Sequence, residues 1–141
     1  MGQARMLPPR ARPLIIAAAR RWRAARDLGE AVQPALFTTL ERAGCGVLAP
    51  VLDSLIRMFE VSSGQGFQVA RSSNGGLSRD ERTLLAMLEV DYGERMMVRS
   101  AGDRRLGAAM TVAIRSARIM IRLALRNGSS DCGPRLCATP A

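Results

Sequence analysis

Histidine is absent from this sequence, which removes the commonest general base and the commonest metal ligand. Lysine is absent too, so all 21 basic residues are arginine. With the abundant alanine, that usage matches the codon bias of a GC-rich genome, a mutational cause rather than a functional one. Aromatics make up only 4%, and a core has to be assembled from Leu, Ile, Val, Ala and eight methionines. Such a core favours helices, because strands draw on β-branched and aromatic residues. The cysteines Cys45, Cys132 and Cys137 are odd in number and form no C-x-x-C pair. They describe neither a zinc site nor a disulfide framework, and a reducing cytoplasm is the simplest setting. Long apolar runs are missing as well. Leu14 to Ala19 comes nearest to a signal h-region, but it is too short, and Arg20-Arg21-Trp22-Arg23 stands where a cleavage site would be.

What the chain does have is charge of one sign. Its 21 arginines face 12 acids, for a net charge of +9. A surplus of that size favours contact with polyanions or an anionic surface, and the planar fork of arginine suits phosphate and carboxylate alike. The remaining composition, 48% hydrophobic and 23% charged, is ordinary for a globular protein. At 141 residues the chain fits one domain, which can bury roughly 68% of its unfolded surface.

Residues 1–13 (MGQARMLPPRARP) read as a disordered basic arm. A first helix is predicted from Leu14 to about Asp27, with Pro13 near its start. A second runs from Glu30 or Pro34 to Ala43, with Leu36, Phe37 and Leu40 inward, and Gly44-Cys45-Gly46 ends it. Pro50 opens a third, in which Val51, Leu52, Leu55, Ile56 and Phe59 have helical spacing; Ser62-Ser63-Gly64 stops it. Between Gly64 and Gly76 the period shortens around Phe67 and Val69, which allows a short extended segment without a partner strand. Ser78-Arg79-Asp80-Glu81 is a capping box that opens a fourth helix, with Leu84, Leu85 and Leu88 on the core side. Asp80 and Glu81 also complement the positive end of the helix dipole. That helix weakens near Tyr92-Gly93, and a short turn from Glu94 to Ser100 follows.

The longest predicted helix is Leu106 to Arg126, with Asp103 as N-cap and Asn127-Gly128 as the stop. Arg115, Arg118, Arg122 and Arg126 fall within roughly 80° of arc on it, while Leu106, Met110, Ala113, Ile114, Ala117, Met120, Ile121 and Ala124 lie mainly on the other side. The pattern predicts a buried helix with one outward arginine stripe, a candidate contact for an anionic partner. Those arginines also exclude a membrane span. Residues 128–141 read as a disordered tail, and no internal repeat is present.

LIIAAARR at residues 14–21, PVLDSLIRM at 50–58 and LSRDERTLLAML at 77–88 together resemble a family of small alphaproteobacterial proteins known only as a domain of unknown function. The resemblance covers about residues 14–90 and implies helix packing, not an activity. Members of that family often carry a cysteine run just before the fourth-helix block. Here Ala70 to Gly76 has none, so no metal or redox role transfers.

Other candidate chemistry is thin. Cys45 between two glycines is either an exposed thiol or a helix-end cysteine, and no histidine is available to activate it. Glu89, Asp91 and Glu94 form an acidic cluster whose spacing matches no cation-binding loop. Gly64-Gln65-Gly66 lacks the full glycine pattern and the lysine of a phosphate loop. Met58, Met87, Met96, Met97, Met110 and Met120 read as core fill, with Met96-Met97 alternatively a pliable contact surface.

The expectation is therefore an all-α domain of about five helices over residues 14–127, flanked by the arm and the tail. It is expected to be no enzyme and to hold no cofactor or metal. The leading role is a cytoplasmic helical interaction or regulatory module with a protein partner or a second copy of itself. Weak, sequence-independent nucleic-acid binding through the arginine face, and attachment to a membrane surface, are the alternatives.

Overall fold

The computed structural model describes residues 7–71, 74–89 and 104–127, the last with side chains from Gly107 onward. Among them are five α-helices and one 3-10 turn, and no strand. The order is α1 (Ala11–Leu28), α2 (Val32–Glu41), the turn Gly46–Leu48, α3 (Ala49–Ser63), α4 (Arg79–Glu89) and α5 (Arg104–Asn127). Helix α1 packs chiefly on α2 and also meets α3 and α4, while α5 lies along α3 and touches α4 and the 3-10 turn.

Helix α1 begins three residues earlier than the proline suggests. Pro13 sits in the first turn, where a missing N–H costs nothing because no intrahelical acceptor exists there. The Ala11 N–H bonds the Pro8 carbonyl at 2.8 Å, and Leu7 and Ala11 are buried in the core. The expected arm over residues 1–13 is thus wrong for its second half: apolar burial holds residues 7–13 down. Its first six residues and the expected tail, 128–141, lie outside the described residues.

Helix ends follow local chemistry. After α1, Gly29 takes φ +68°, its N–H reaching Arg26 while the Glu30 N–H reaches Ala25, so two terminal carbonyls are satisfied. Gly64 does the same for α3 with a single bond to the Glu60 carbonyl at 2.9 Å. Pro50 occupies the first turn of α3. Within α2, Leu36 and Leu40 are fully buried, but Phe37 is half exposed, against the expectation that it faces inward. Its ring lies where a Cβ on Gly46 would have to go, so the backbone approaches closely there and leaves no inward slot.

The segment after Gly64 forms no strand. Phe67 instead plugs the core with zero exposure, edge-on to Trp22 at 6.3 Å and to Phe59 at 5.4 Å between ring centroids. Its backbone is satisfied by side chains: the Phe67 N–H donates to Glu60 and the Gln68 N–H to Asp80, each at 2.8 Å. With those bonds made, no pairing strand is needed. The capping box of α4 is in place. Ser78 Oγ accepts the Glu81 N–H at 3.0 Å, and Glu81 Oε2 accepts the Ser78 N–H at 2.7 Å. The same hydroxyl donates to the Gln68 carbonyl at 2.7 Å and so ties the loop to α4.

Met110, Ile114, Ala117, Ile121 and Ala124 put α5 into the common core beside Leu52, Leu55, Ile56, Leu84 and Leu88. Each fully buried Leu or Ile contributes about 1.5–3 kcal/mol relative to leaving it exposed. Met87 and Met110 are buried and Met58 and Met120 partly so, as core fill requires; Met96 and Met97 lie outside the described residues.

Candidate interaction surface on helix α5

The acids of the described residues are all committed to internal partners. Glu81 is fully buried against Arg20 (2.7 Å), and Glu89 pairs with Arg12 (3.0 Å), Asp27 with Arg23 (2.9 Å), Glu60 with Arg26 (2.7 Å) and Glu30 with Arg21. Glu41 accepts the Gly46 N–H, and Asp80 accepts that of Gln68. Asp53, only 4% exposed, accepts Trp22 Nε1–H (2.8 Å), Gln33 Nε2–H (3.1 Å) and Arg57 Nε–H (2.7 Å). Burial pushes the Asp53 carboxyl up, but the Trp22, Arg57 and Gln33 hydrogen bonds and the Arg57 charge outweigh it and hold it below the usual range. Glu81 behaves alike: burial raises it, while Arg20 and the Ser78 N–H bring it down further. The arginines of α1 and α3 named here are thus structural partners.

Helix α5 is different. Its sequence carries six arginines and no aspartate or glutamate. Taking 100° per residue from Met110, the core residues centre near 10° and Arg118, Arg122, Arg115 and Arg126 fall at about 80°, 120°, 140° and 160°. Exposure follows that order. Arg118 is half-buried and donates Nη2–H to the Met87 carbonyl of α4 at 2.8 Å; Arg122 is half-buried, and Arg115 and Arg126 are exposed. The expected outward stripe of four is therefore a graded flank. Its inner member is turned onto α4, because at 80° a long side chain reaches the neighbouring helix before it reaches water.

Beyond the arginines, at about 180–220°, lies a second apolar line. Val112 is 63% exposed, Ile119 57% and Leu123 49%. They sit directly opposite the core face, so α5 is apolar on two sides. The far flank of this outer line is small or neutral: Ala109, Ser116, Ala113 and Met120. The sequence of α5 reads as a core side and an arginine side, and these three residues belong to neither. The signal was their spacing of seven and four, one face of a helix.

The other sequence candidates gain no chemistry. Cys45 is fully buried, donates its thiol proton to the Ala43 carbonyl at 3.4 Å, and is pushed up in pKa by burial and then by the Glu41 charge. That is the helix-end alternative, not an exposed nucleophile. Glu89 is held by Arg12, while Asp91 and Glu94 lie outside the described residues, as do Cys132 and Cys137. Gly64 serves as the α3 cap. Among the described residues no cluster of acids and cysteines has the geometry of a metal site, and no helix is long and apolar enough to cross a membrane. No family model, curated protein or solved structure matches this chain.

Proposed function

We propose that this protein is a small helical interaction module whose docking face is the outer side of α5. The observation that carries this reading is the line Val112, Ile119 and Leu123, large apolar side chains left about half or more exposed on a helix already anchored by its other face. A scattered exposed apolar residue is normal, but three on one line of one helix have the form of a recognition strip. The role is binding rather than catalysis: the described carboxylates serve arginines and backbone N–H groups, and the sequence supplies no histidine. An odd number of cysteines without paired spacing supports a reducing, cytoplasmic setting.

Sequence-blind contact with nucleic acid draws on the same arginines. Two features weigh against it as the main role. Arg118 is already bonded to α4, and the outermost strip of α5 is apolar where a phosphate backbone would need cations.

The test uses the full chain, tagged and expressed at its natural level in its own cell. Extracts run on size exclusion should place it well above its monomer mass of 15.2 kDa. The Val112→Ser, Ile119→Ser, Leu123→Ser variant should run as a monomer with unchanged circular dichroism. Identical migration of the two proteins would refute the proposal.

A further inference from the structure

We infer that Gln65 to Ala70 form a latch that opens as a unit and uncovers a site for one uncharged aromatic ring, walled by Trp22 and Phe59. None of these residues belongs to α5. The first support is how the segment is tied down. Among the described residues, none from Gln65 to Ala70 makes a hydrogen bond from backbone to backbone. Their polar groups are held by side chains instead. The Gln65 N–H donates to Ser63 Oγ at 3.3 Å, and the Phe67 N–H to Glu60 Oε1 at 2.8 Å. The Gln68 N–H donates to Asp80, the Gln68 carbonyl accepts from Ser78, and the Ala70 N–H turns to Glu81. Two of these acids keep their arginines when the segment leaves, Glu60 with Arg26 and Glu81 with Arg20. Such a step breaks no helical hydrogen bond, so it is separable from unfolding of the whole domain.

The second support is how little apolar surface fastens the segment. Phe67 is fully buried and Val69 partly so, while Gln65, Gly66 and Gln68 are exposed. One ring carries most of what keeps the latch shut. Gly64 precedes it at φ +68°, with nothing within 4 Å of where a Cβ would stand, so the chain swings there without collision.

The third support is that the walls stay when the ring goes. Trp22 is fixed by its bond to Asp53 at 2.8 Å and by Arg26, which lies over its ring at 4.8 Å. Phe59 is carried by α3. Neither attachment passes through Phe67. Both walls meet the Phe67 ring edge-on, at 78° and 75° between planes, an arrangement that aromatic pairs prefer. The vacated slot is therefore shaped for a flat ring of that size, whether Phe67 supplies it or a ligand does. The ring has to be uncharged, because a site of zero exposure penalises an unpaired charge. A ligand that binds only the open form draws the latch open, and its apparent affinity scales with the fraction already open.

The experiment uses the full chain, with toluene as the ring. Trp22 is the chain's one tryptophan, so its fluorescence reports on the slot directly. In native-state hydrogen exchange in dilute urea, the Phe67 amide should exchange at least tenfold faster than the Leu55 and Ile56 amides of α3, with a smaller urea dependence. Toluene should shift Trp22 fluorescence saturably and speed exchange at Phe67, while Leu55 and Ile56 do not quicken. Asp80→Ala removes a tie outside the slot. It should speed Phe67 exchange and lower the half-saturating toluene concentration by the same factor. Phe67→Ala should lower that concentration at least tenfold; should it fail to fold, the Asp80→Ala comparison decides alone. Exchange at Phe67 with the rate and urea dependence of Leu55 and Ile56 overturns the inference, since that is unfolding of the whole domain. So does toluene that leaves Trp22 fluorescence unchanged, or a folded Phe67→Ala chain with no gain in affinity. So does an Asp80→Ala chain in which exchange and affinity change by unequal factors, or in which neither changes.

Discussion

Removing the Asp53 carboxylate tests whether the polar knot beneath Trp22 holds α1, α2 and α3 together. Asp53 gathers the Trp22 indole N–H, the Gln33 amide and the Arg57 guanidinium onto two oxygens. In Asp53→Ala the Trp22 N–H, on a residue of zero exposure, loses its acceptor. An unsatisfied buried donor costs about 1–3 kcal/mol. Gln33 is exposed and turns to water, and Arg57 is 54% exposed, so its screened pair adds only about 0–1 kcal/mol. The sum is about 1–4 kcal/mol, or a fall of roughly 3–14 °C in Tm for a chain of this length. Urea unfolding followed by far-UV circular dichroism measures it. In a Trp22→Phe background the donor is gone, and Asp53→Ala should cost about 1 kcal/mol less than in the parent, a coupling that a double-mutant cycle isolates. A cost below about 0.5 kcal/mol, or strict additivity with Trp22→Phe, would show that the knot is not what joins these helices.

Replacing Ser78 by Ala removes both the cap of the Glu81 N–H and the tie to the Gln68 carbonyl, so unfolding should become easier by about 1–2 kcal/mol, read by the same assay. Asp53 and Glu81 both have folded pKa values below their unfolded ones, which lie at about 3.9 and 4.3. Their stabilisation is therefore fully present above about pH 5 and is lost as pH falls through the lower folded values; urea midpoints should drop on acidification, and Asp53→Asn with Glu81→Gln should flatten that limb. In a Cys132→Ser, Cys137→Ser background, Cys45 should resist alkylation at neutral pH until the domain unfolds, with a rate that tracks the urea transition.

Legibility in the sequence tracked how local the cause was. The capping box of Ser78 and Glu81, the glycine stop at Gly64 and the inward face of α5 are decided within one or two turns, and each could be read from spacing alone. Phe67 could not. Its alternation with Val69 has the period of a strand, but what fixes it is a slot between Trp22 and Phe59, residues far away in sequence. Likewise Phe37 matched the inward spacing of α2 and was displaced by the close backbone at Gly46, a contact that only the folded chain creates. Pro13 reads as a boundary in the sequence, but the burial of Leu7 and Ala11 sets the start of α1 earlier. The arginine flank of α5 was legible in angle but not in reach: whether Arg118 meets water or Met87 depends on where α4 lies.

The net charge, so conspicuous in the sequence, divides into two parts once the fold is known. On α1, arginines 12, 20, 21, 23 and 26 each meet a carboxylate, and Arg26 also lies over the Trp22 ring at 4.8 Å. Those at the surface contribute little individually, about 0–1 kcal/mol, but they leave α1 with little free positive potential. Helix α5 has no acid in its own sequence, so its arginines take their partners from other elements, as Arg118 does from the Met87 carbonyl of α4. The chain's +9 is therefore not a diffuse basic coat. Six of the 21 arginines lie in the helix that also carries the exposed line of Val112, Ile119 and Leu123. Charge alone would recruit any polyanion, and its effect would fade within about 8 Å at physiological salt. An apolar strip alone would recruit any apolar surface. Together on one helix, the two features admit a narrower class of partner than either does by itself.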